Sequence, residues 1–266
     1  MSTPRPTFRW LFPATTIGLL VYIVAPQLIL VSLSVSERFD LVGGVLPEGF
    51  TLEQFIRWNG EIGEAMKVSL LVALPTVALA LVFGVPAAYA LARGQFRGRG
   101  IVLELVNLPM IFPPIVLGFG LYQLFRSGAL PTIPPLAMLV LAHTVVATPF
   151  MIRPLLVGLQ RLDPAIEEAA LSLGASRLTG FLYVALPLLL PSLLAGIALT
   201  FARSISDFEI TFLLAGGDFA TLPVKVYHAF ETGSSRLGAA VAVAGNVFAV
   251  IVIVALETIV RKAKWW

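Results

Sequence analysis

Arg203, Asp207 and Glu209 stand inside a long apolar stretch, and they are the residues where chemistry is sought first. A charge in hydrocarbon is costly, so such residues pair with one another or line a polar path. Arg203 and Asp207 are four apart, which places them on one helix face as an ion pair. On a continuous helix Glu209 points about 200° round from Asp207 and needs a partner, a cavity or the membrane surface. Facing a path, the two carboxylates would favour a cation or carry a proton or sodium ion.

A second polar stretch, Asp163 to Pro187 (DPAIEEAALSLGASRLTGFLYVALP), separates two strongly apolar halves. Asp163 can cap a helix, Pro164 suits its first turn, and Glu167 and Glu168 lie near its positive end. The helix is expected over Pro164 to Leu171, ending at Gly174. Ala169, Ala170 and Gly174 offer small side chains against which a partner could pack closely. Ser176 can cap the next helix, which climbs back into the membrane through Leu186-Pro187. Such a helix is either a docking knob for a partner outside the membrane or an amphipathic connector lying on the bilayer surface.

The remaining polar groups suggest no catalysis. His143 beside Thr144 reads as a packing or helix-bridging residue, and His228 falls outside the bilayer, so no metal site can be built from them. The chain has no cysteine. It contains no GxxxxGK[ST] phosphate loop, no HExxH and no GxSxG, so it is read as a non-enzyme with no catalytic residue and no cofactor of its own.

These residues must be positioned by membrane-spanning helices. Of 266 residues, 58% are hydrophobic and 12% charged, with a mean hydropathy of +0.93. A soluble domain cannot expose so much apolar surface, and the chain is read as an all-α integral membrane protein. Six spans are predicted: Leu11 to Val35, Lys67 to Leu91, Ile101 to Phe125, Leu136 to Ile152, Phe181 to Leu214 and Leu237 to Val260. Pro13 and Pro26 should bend or shorten the regular part of the first, and Pro109, Pro113 and Pro114 should interrupt the third. The fifth should be one long helix kinked at Pro187 and Pro191. Between the first two spans, Gly43, Gly44 and Pro47 mark a loop and Leu52 to Trp58 a short helix. Ala215 to Ser235, with Gly216-Gly217, should be a second outer loop. Arg261, Lys262, Lys264 and Trp265-Trp266 should anchor the last span at the interface.

Basic residues set the orientation. One side would hold eleven, among them Arg5, Arg9, Arg93, Arg97, Arg99, Arg153, Arg161 and Arg177, and the other side six. By the positive-inside rule both termini and the Asp163 to Pro187 loop are cytoplasmic. This scatter at span ends also argues against nucleic-acid binding, despite a sequence pI of 9.4.

Glu168-Ala169-Ala170, three residues, Gly174, nine residues, Val184, one residue and Leu186-Pro187 resemble the EAA loop of permease subunits of binding-protein-dependent ABC importers. Val184 stands where that family usually has Ile. Leu108 to Phe125, His143 to Pro154 and Ser206 to Pro223 resemble permeases of the spermidine/putrescine type and their relatives. The resemblance covers about Lys67 to Val260. It implies the type I importer permease fold, with one transmembrane domain over residues 1–266, a core at 67–260 and a coupling loop at 160–187. Glu167, Glu168, Ala169, Ala170, Gly174, Leu186 and Pro187 would couple to ATPase chains, and Arg203, Asp207 and Glu209 would lie along the translocation path near an outer gate.

The partners implied are a second permease, identical or paralogous, two cytoplasmic ATPases that bind ATP and Mg, and an extracytoplasmic solute-binding protein. The substrate expected from the acids and the resemblance is a polyamine or other cation; ferric iron, thiamine, aminoethylphosphonate and oxyanions are alternatives. Two rivals compete. One is a self-contained secondary transporter using Asp207 or Glu209 for ion coupling, and the other is a membrane enzyme.

Overall fold

The computed structural model describes residues 10–38, 48–57, 59–128, 131, 133–215 and 219–262. Arg5, Arg9, Asp40, Gly43, Gly44, Pro47, Trp58, Gly216-Gly217, Lys264 and Trp265-Trp266 lie outside them. In chain order the elements are α1 (Leu11–Ser34), strands β1 (Ser36–Arg38) and β2 (Glu48–Phe50), α2 (Glu53–Arg57), α3 (Asn59–Arg93), α4 (Arg99–Ile111), α5 (Pro114–Arg126), α6 (Pro135–Arg161) and α7 (Pro164–Ser172). There follow α8 (Arg177–Gly180), a π-helical turn (Phe181–Ala185), α9 (Leu186–Leu188), α10 (Leu190–Ile205), α11 (Glu209–Ala215), α12 (Leu222–Glu231) and α13 (Ser235–Lys262). Among the described residues four helices are long and apolar enough to cross a membrane, and six spans result if each of two bent pairs counts as one. The protein is an all-α multi-pass membrane protein.

Where elements depart from the sequence reading, local chemistry gives the reason. Pro13 falls in the first turn of α1, where no intrahelical amide bond is lost, and the helix runs unbroken from Leu11 to Ser34 with Pro26 inside it. The third span is broken outright, α4 and α5 meeting at 105°. Phe112 there is extended (φ −71°, ψ 142°), the conformation that a following proline favours. The fourth span runs past Ile152 to Arg161, through Pro149 and Pro154, because its buried face is held by neighbouring helices. The fifth span is not one kinked helix. Its first part, Arg177–Leu188, meets α10 at 77°, and a second break at Ser206 to Phe208 separates α10 from α11. The expected second outer loop contains α12.

The chain divides into two compact units, Met1–Gly63 with Lys225–Asn246, and Glu64–Val224 with Val247–Trp266. In the first unit β1 and β2 pair antiparallel, Ser36 opposite Phe50. The Lys225 ammonium pairs with the Glu61 carboxylate, and Asn246 Nδ2 donates to Gln27 Oε1 at 3.2 Å.

In the second unit the core lies along α6. At one end Met151, Leu155 and Leu159 pack with Ala80, Ala88 and Leu189. Towards the other, Leu139, Ala142 and Val146 pack with Ile210 and Leu214. A third cluster joins Ala73 and Val77 of α3 to Phe201 and Ile205 of α10, with Phe248 and Val252 of α13 against it. The α6–α10 contact depends on Gly196, where a Cβ would lie 3.1 Å from the Met151 carbonyl oxygen. Small residues at crossings are what allow membrane helices to pack, because hydrocarbon gives them no hydrophobic drive to associate.

Candidate coupling loop and intramembrane ion cluster

The polar loop folds by its own capping chemistry. Asp163 Oδ1 accepts from the Ala165 amide at 2.9 Å, and Pro164 occupies the first turn of α7. The helix ends one residue later than expected. Gly174, at φ +89°, donates to Leu171 O at 3.0 Å, and Ala175 donates to Ala170 O at 3.1 Å. These two bonds are a Schellman closure, which calls for a residue in the left-handed region that glycine enters without strain. Ser176 then caps α8, accepting from the Thr179 amide at 3.1 Å.

The two adjacent glutamates of α7 have different surroundings. Glu167 is turned inward, its side chain 12% exposed. Its Oε2 accepts from Tyr89 Oη at 2.8 Å, and its Oε1 accepts from Arg93 Nε at 2.8 Å. Arg93 Nη2 also donates to Leu162 O at 2.9 Å, just past the end of α6. The Tyr89 ring meets Phe181 edge-on, centroids 4.9 Å apart. Glu168, Ala169 and Gly174 are exposed, and Ala170 is half-buried. The same surface presents Ile166, Leu171, Leu173 and Leu178, Leu173 with 90% of its area open. Leu186 and Pro187 are half-buried on α9. The loop thus brings Glu167 to the membrane helices and leaves Glu168, Ala169 and Gly174 facing outward.

Sequence reading missed Tyr89 and Arg93, having taken Arg93 as a topology determinant. Their spacing of four, placing both on one face at the end of the second span, was the available clue.

Arg203, Asp207 and Glu209 do not share one helix. Asp207 sits in the break between α10 and α11 and caps the latter, its Oδ1 accepting from the Ile210 and Thr211 amides at 3.0 and 3.3 Å. Its Oδ2 accepts from Arg203 Nη1 at 2.7 Å. The Asp207 side chain is 2% exposed and that of Arg203 19%. His143 of α6 lies against the same cluster, Nδ1 2.9 Å from Ser204 Oγ and Nε2 3.0 Å from Thr211 Oγ1. It therefore bridges helices, its two nitrogens satisfied by hydroxyls that can each donate or accept. Glu209 opens α11 and is half-buried. The break invalidates the 200° separation, which assumed a continuous helix.

A cavity of about 570 Å³ lies elsewhere, lined by Phe83, Leu105, Pro109, Phe125, Leu141 and other apolar groups. Its two hydroxyls, on Thr144 and Thr148, donate to carbonyls of their own helix. Its lining is otherwise apolar and suits hydrocarbon better than a polar solute.

Comparison with known proteins agrees with this architecture. Residues 80–263 match the family "Binding-protein-dependent transport system inner membrane component". The chain is 41% identical over 165 residues to a molybdenum ABC transporter permease protein of Haloferax volcanii, covering 60% of this chain and 61% of that protein. It is 32% identical to the molybdate/tungstate transport system permease protein WtpB of Pyrococcus abyssi, over 76% of this chain and 79% of the relative. A 2-aminoethylphosphonate transport system permease protein, PhnV of Salmonella choleraesuis, is 29% identical over 92% of this chain and 91% of its own. Among solved structures, the bacterial ABC transporter that imports alginate superposes with a TM-score of 0.66, at 20% identity, over 98% of this chain and 99% of that one. That likeness concerns the fold. The polyamine-type resemblance gives way here, since these relatives are named for molybdenum, molybdate or tungstate and 2-aminoethylphosphonate. With residues 80–263 inside the family pattern, the chain belongs to the inner-membrane components of binding-protein-dependent transport systems, as an ABC importer permease without an ATPase site of its own.

Proposed function

We propose that the chain forms half of a translocation path for a small anion, an oxyanion of the molybdate type or a phosphonate, and that α7 receives the closing motion of a cytoplasmic ATPase pair. The observation that carries the coupling role is the two-faced α7. One side is bonded to the membrane helices through Glu167, and the other presents Glu168, Ala169, Gly174 and open leucines to a partner. ATP and Mg would be bound by the ATPases, and an extracytoplasmic binding protein would deliver the solute. A second permease, identical or paralogous, would complete the path, with residues 1–266 acting as one transmembrane domain.

Two things favour an anion over the cation first expected. The relatives named above handle anions, and Asp207 is already neutralised by Arg203 and two amides, so it has little charge to offer a passing cation. Arg203, Asp207 and Glu209 keep their proposed place along the path, with Arg203 more open than Asp207. Asp207 lends the self-contained carrier no support, because a coupling acid must be reachable from both sides and this one is buried and held at both oxygens.

The test is uptake into proteoliposomes holding the permease, its ATPase and its binding protein. Molybdate or 2-aminoethylphosphonate should be taken up with ATP hydrolysis, and spermidine should not. Glu168→Ala and Gly174→Asp should lose the ATPase on purification while the membrane part stays folded. ATP-dependent spermidine uptake would overturn the anion reading. Uptake without any ATPase would overturn the importer reading.

A further inference from the structure

We propose that Tyr89, Arg93 and Glu167 form a latch that makes α7 move as one body with the second span, so that the importer's ATP-driven motion reaches the membrane through Glu167 rather than through the chain connections. This rests on the importer reading above. The covalent links are poorly suited to carry force. Leu162 (ψ 122°) and Asp163 (ψ 120°) are both extended between α6 and α7, and a left-handed Gly174 interrupts the exit from α7. Neither side of α7 is a continuous helix, and rotation about such extended residues would dissipate a displacement applied to α7.

The latch bypasses both links. Tyr89 and Arg93 are one turn apart on one face of α3, and together they occupy both carboxylate oxygens of Glu167. The side chains of Arg93 and Glu167 are only 20% and 12% exposed, so their charge-assisted bonds are little weakened by competing water. The same guanidinium holds Leu162 O beyond α6, and the Tyr89 ring rests on Phe181, the first residue of the π-helical turn. The second span thus holds the half-buried Glu167 carboxylate directly, and the same Arg93 and Tyr89 side chains touch the chain beyond α6 and Phe181. Glu168, one residue on and about 100° round the helix, is free for the ATPase. Adjacent glutamates thus have separate tasks, Glu167 inward for transmission and Glu168 outward for docking.

The test measures solute imported per ATP hydrolysed, in the complete complex in proteoliposomes. Glu167→Ala and Arg93→Ala should lower that ratio about tenfold, as expected for loss of a coupling free energy of ordinary size, with the ATPase still co-purifying. Tyr89→Phe, which removes one oxygen, should lower it less. The exchanged pair Arg93→Glu with Glu167→Arg should recover part of what each single charge reversal loses, a rescue that general destabilisation does not give. An unchanged ratio in both Glu167→Ala and Tyr89→Phe overturns the latch. If an alanine variant fails to assemble, Tyr89→Phe and the exchanged pair decide. If the wild type itself shows no ATP-dependent import, it is the importer reading that falls, a separate result from loss of the ratio in the variants alone.

Discussion

Asp207 shows how one carboxylate can settle several structural demands at once. It neutralises Arg203, supplies the first amides of α11 with an acceptor, and lies beside His143, all at 2% exposure. Removing one partner of a buried ion pair leaves the other uncompensated, which costs about 3–5 kcal/mol. Asp207→Ala should therefore destabilise the protein by about that amount, seen as a lowered midpoint of thermal unfolding in detergent or lipid. Arg203→Ala should cost less, because Asp207 keeps its two amide donors. A larger loss from Arg203→Ala than from Asp207→Ala would mean that the cap contributes little. The ion pair itself was legible from its spacing of four. The capping role was not, because in an uninterrupted apolar stretch nothing marks Asp207 as a helix start, and the break becomes visible only with its hydrogen bonds.

At the scale of the element, legibility follows how local the cause is. The boundaries of α7 could be read to within a residue, since Asp163, Pro164, Gly174 and Ser176 act on backbone groups within a few positions of themselves. The break of the third span was foreseen from Pro113 and Pro114, which act on their immediate neighbours. The length of α6 was not foreseen, because Arg153 and Pro154 interrupt the apolar run just past Ile152, and what keeps the helix going to Arg161 is tertiary packing against α3 and α10. That packing makes a prediction for α10. A valine at Gly196 would place its Cβ 2.9 Å from Met151 Sδ and 3.1 Å from the backbone oxygen, and only the sulfur can move. Overpacking of this kind costs about 1–3 kcal/mol. Gly196→Val should lower the unfolding midpoint more than Gly174→Ala, which strains a φ of +89° but meets no atom within 4 Å. The reverse order would show that the α6–α10 crossing has slack.

For the whole molecule, the consequence that can be checked most directly is the side of the membrane on which each end of α6 lies. The chain contains no cysteine, so a single introduced thiol reports on one position. Leu173, 90% open just past α7, follows the arginine-rich end of α6, and Ser127, exposed after α5, precedes the other end. The excess of Arg and Lys assigns the Leu173 side to the cytoplasm. In intact cells a membrane-impermeant maleimide should label Ser127→Cys and leave Leu173→Cys unlabelled. In inverted vesicles the pattern should reverse, and bound ATPase should then shield Leu173→Cys, because the open leucine would lie beneath it. Labelling of Leu173→Cys from outside intact cells would invert the topology and remove α7 from reach of any cytoplasmic ATPase. Correct sidedness without shielding would keep the permease fold but move the ATPase contact to another part of the surface.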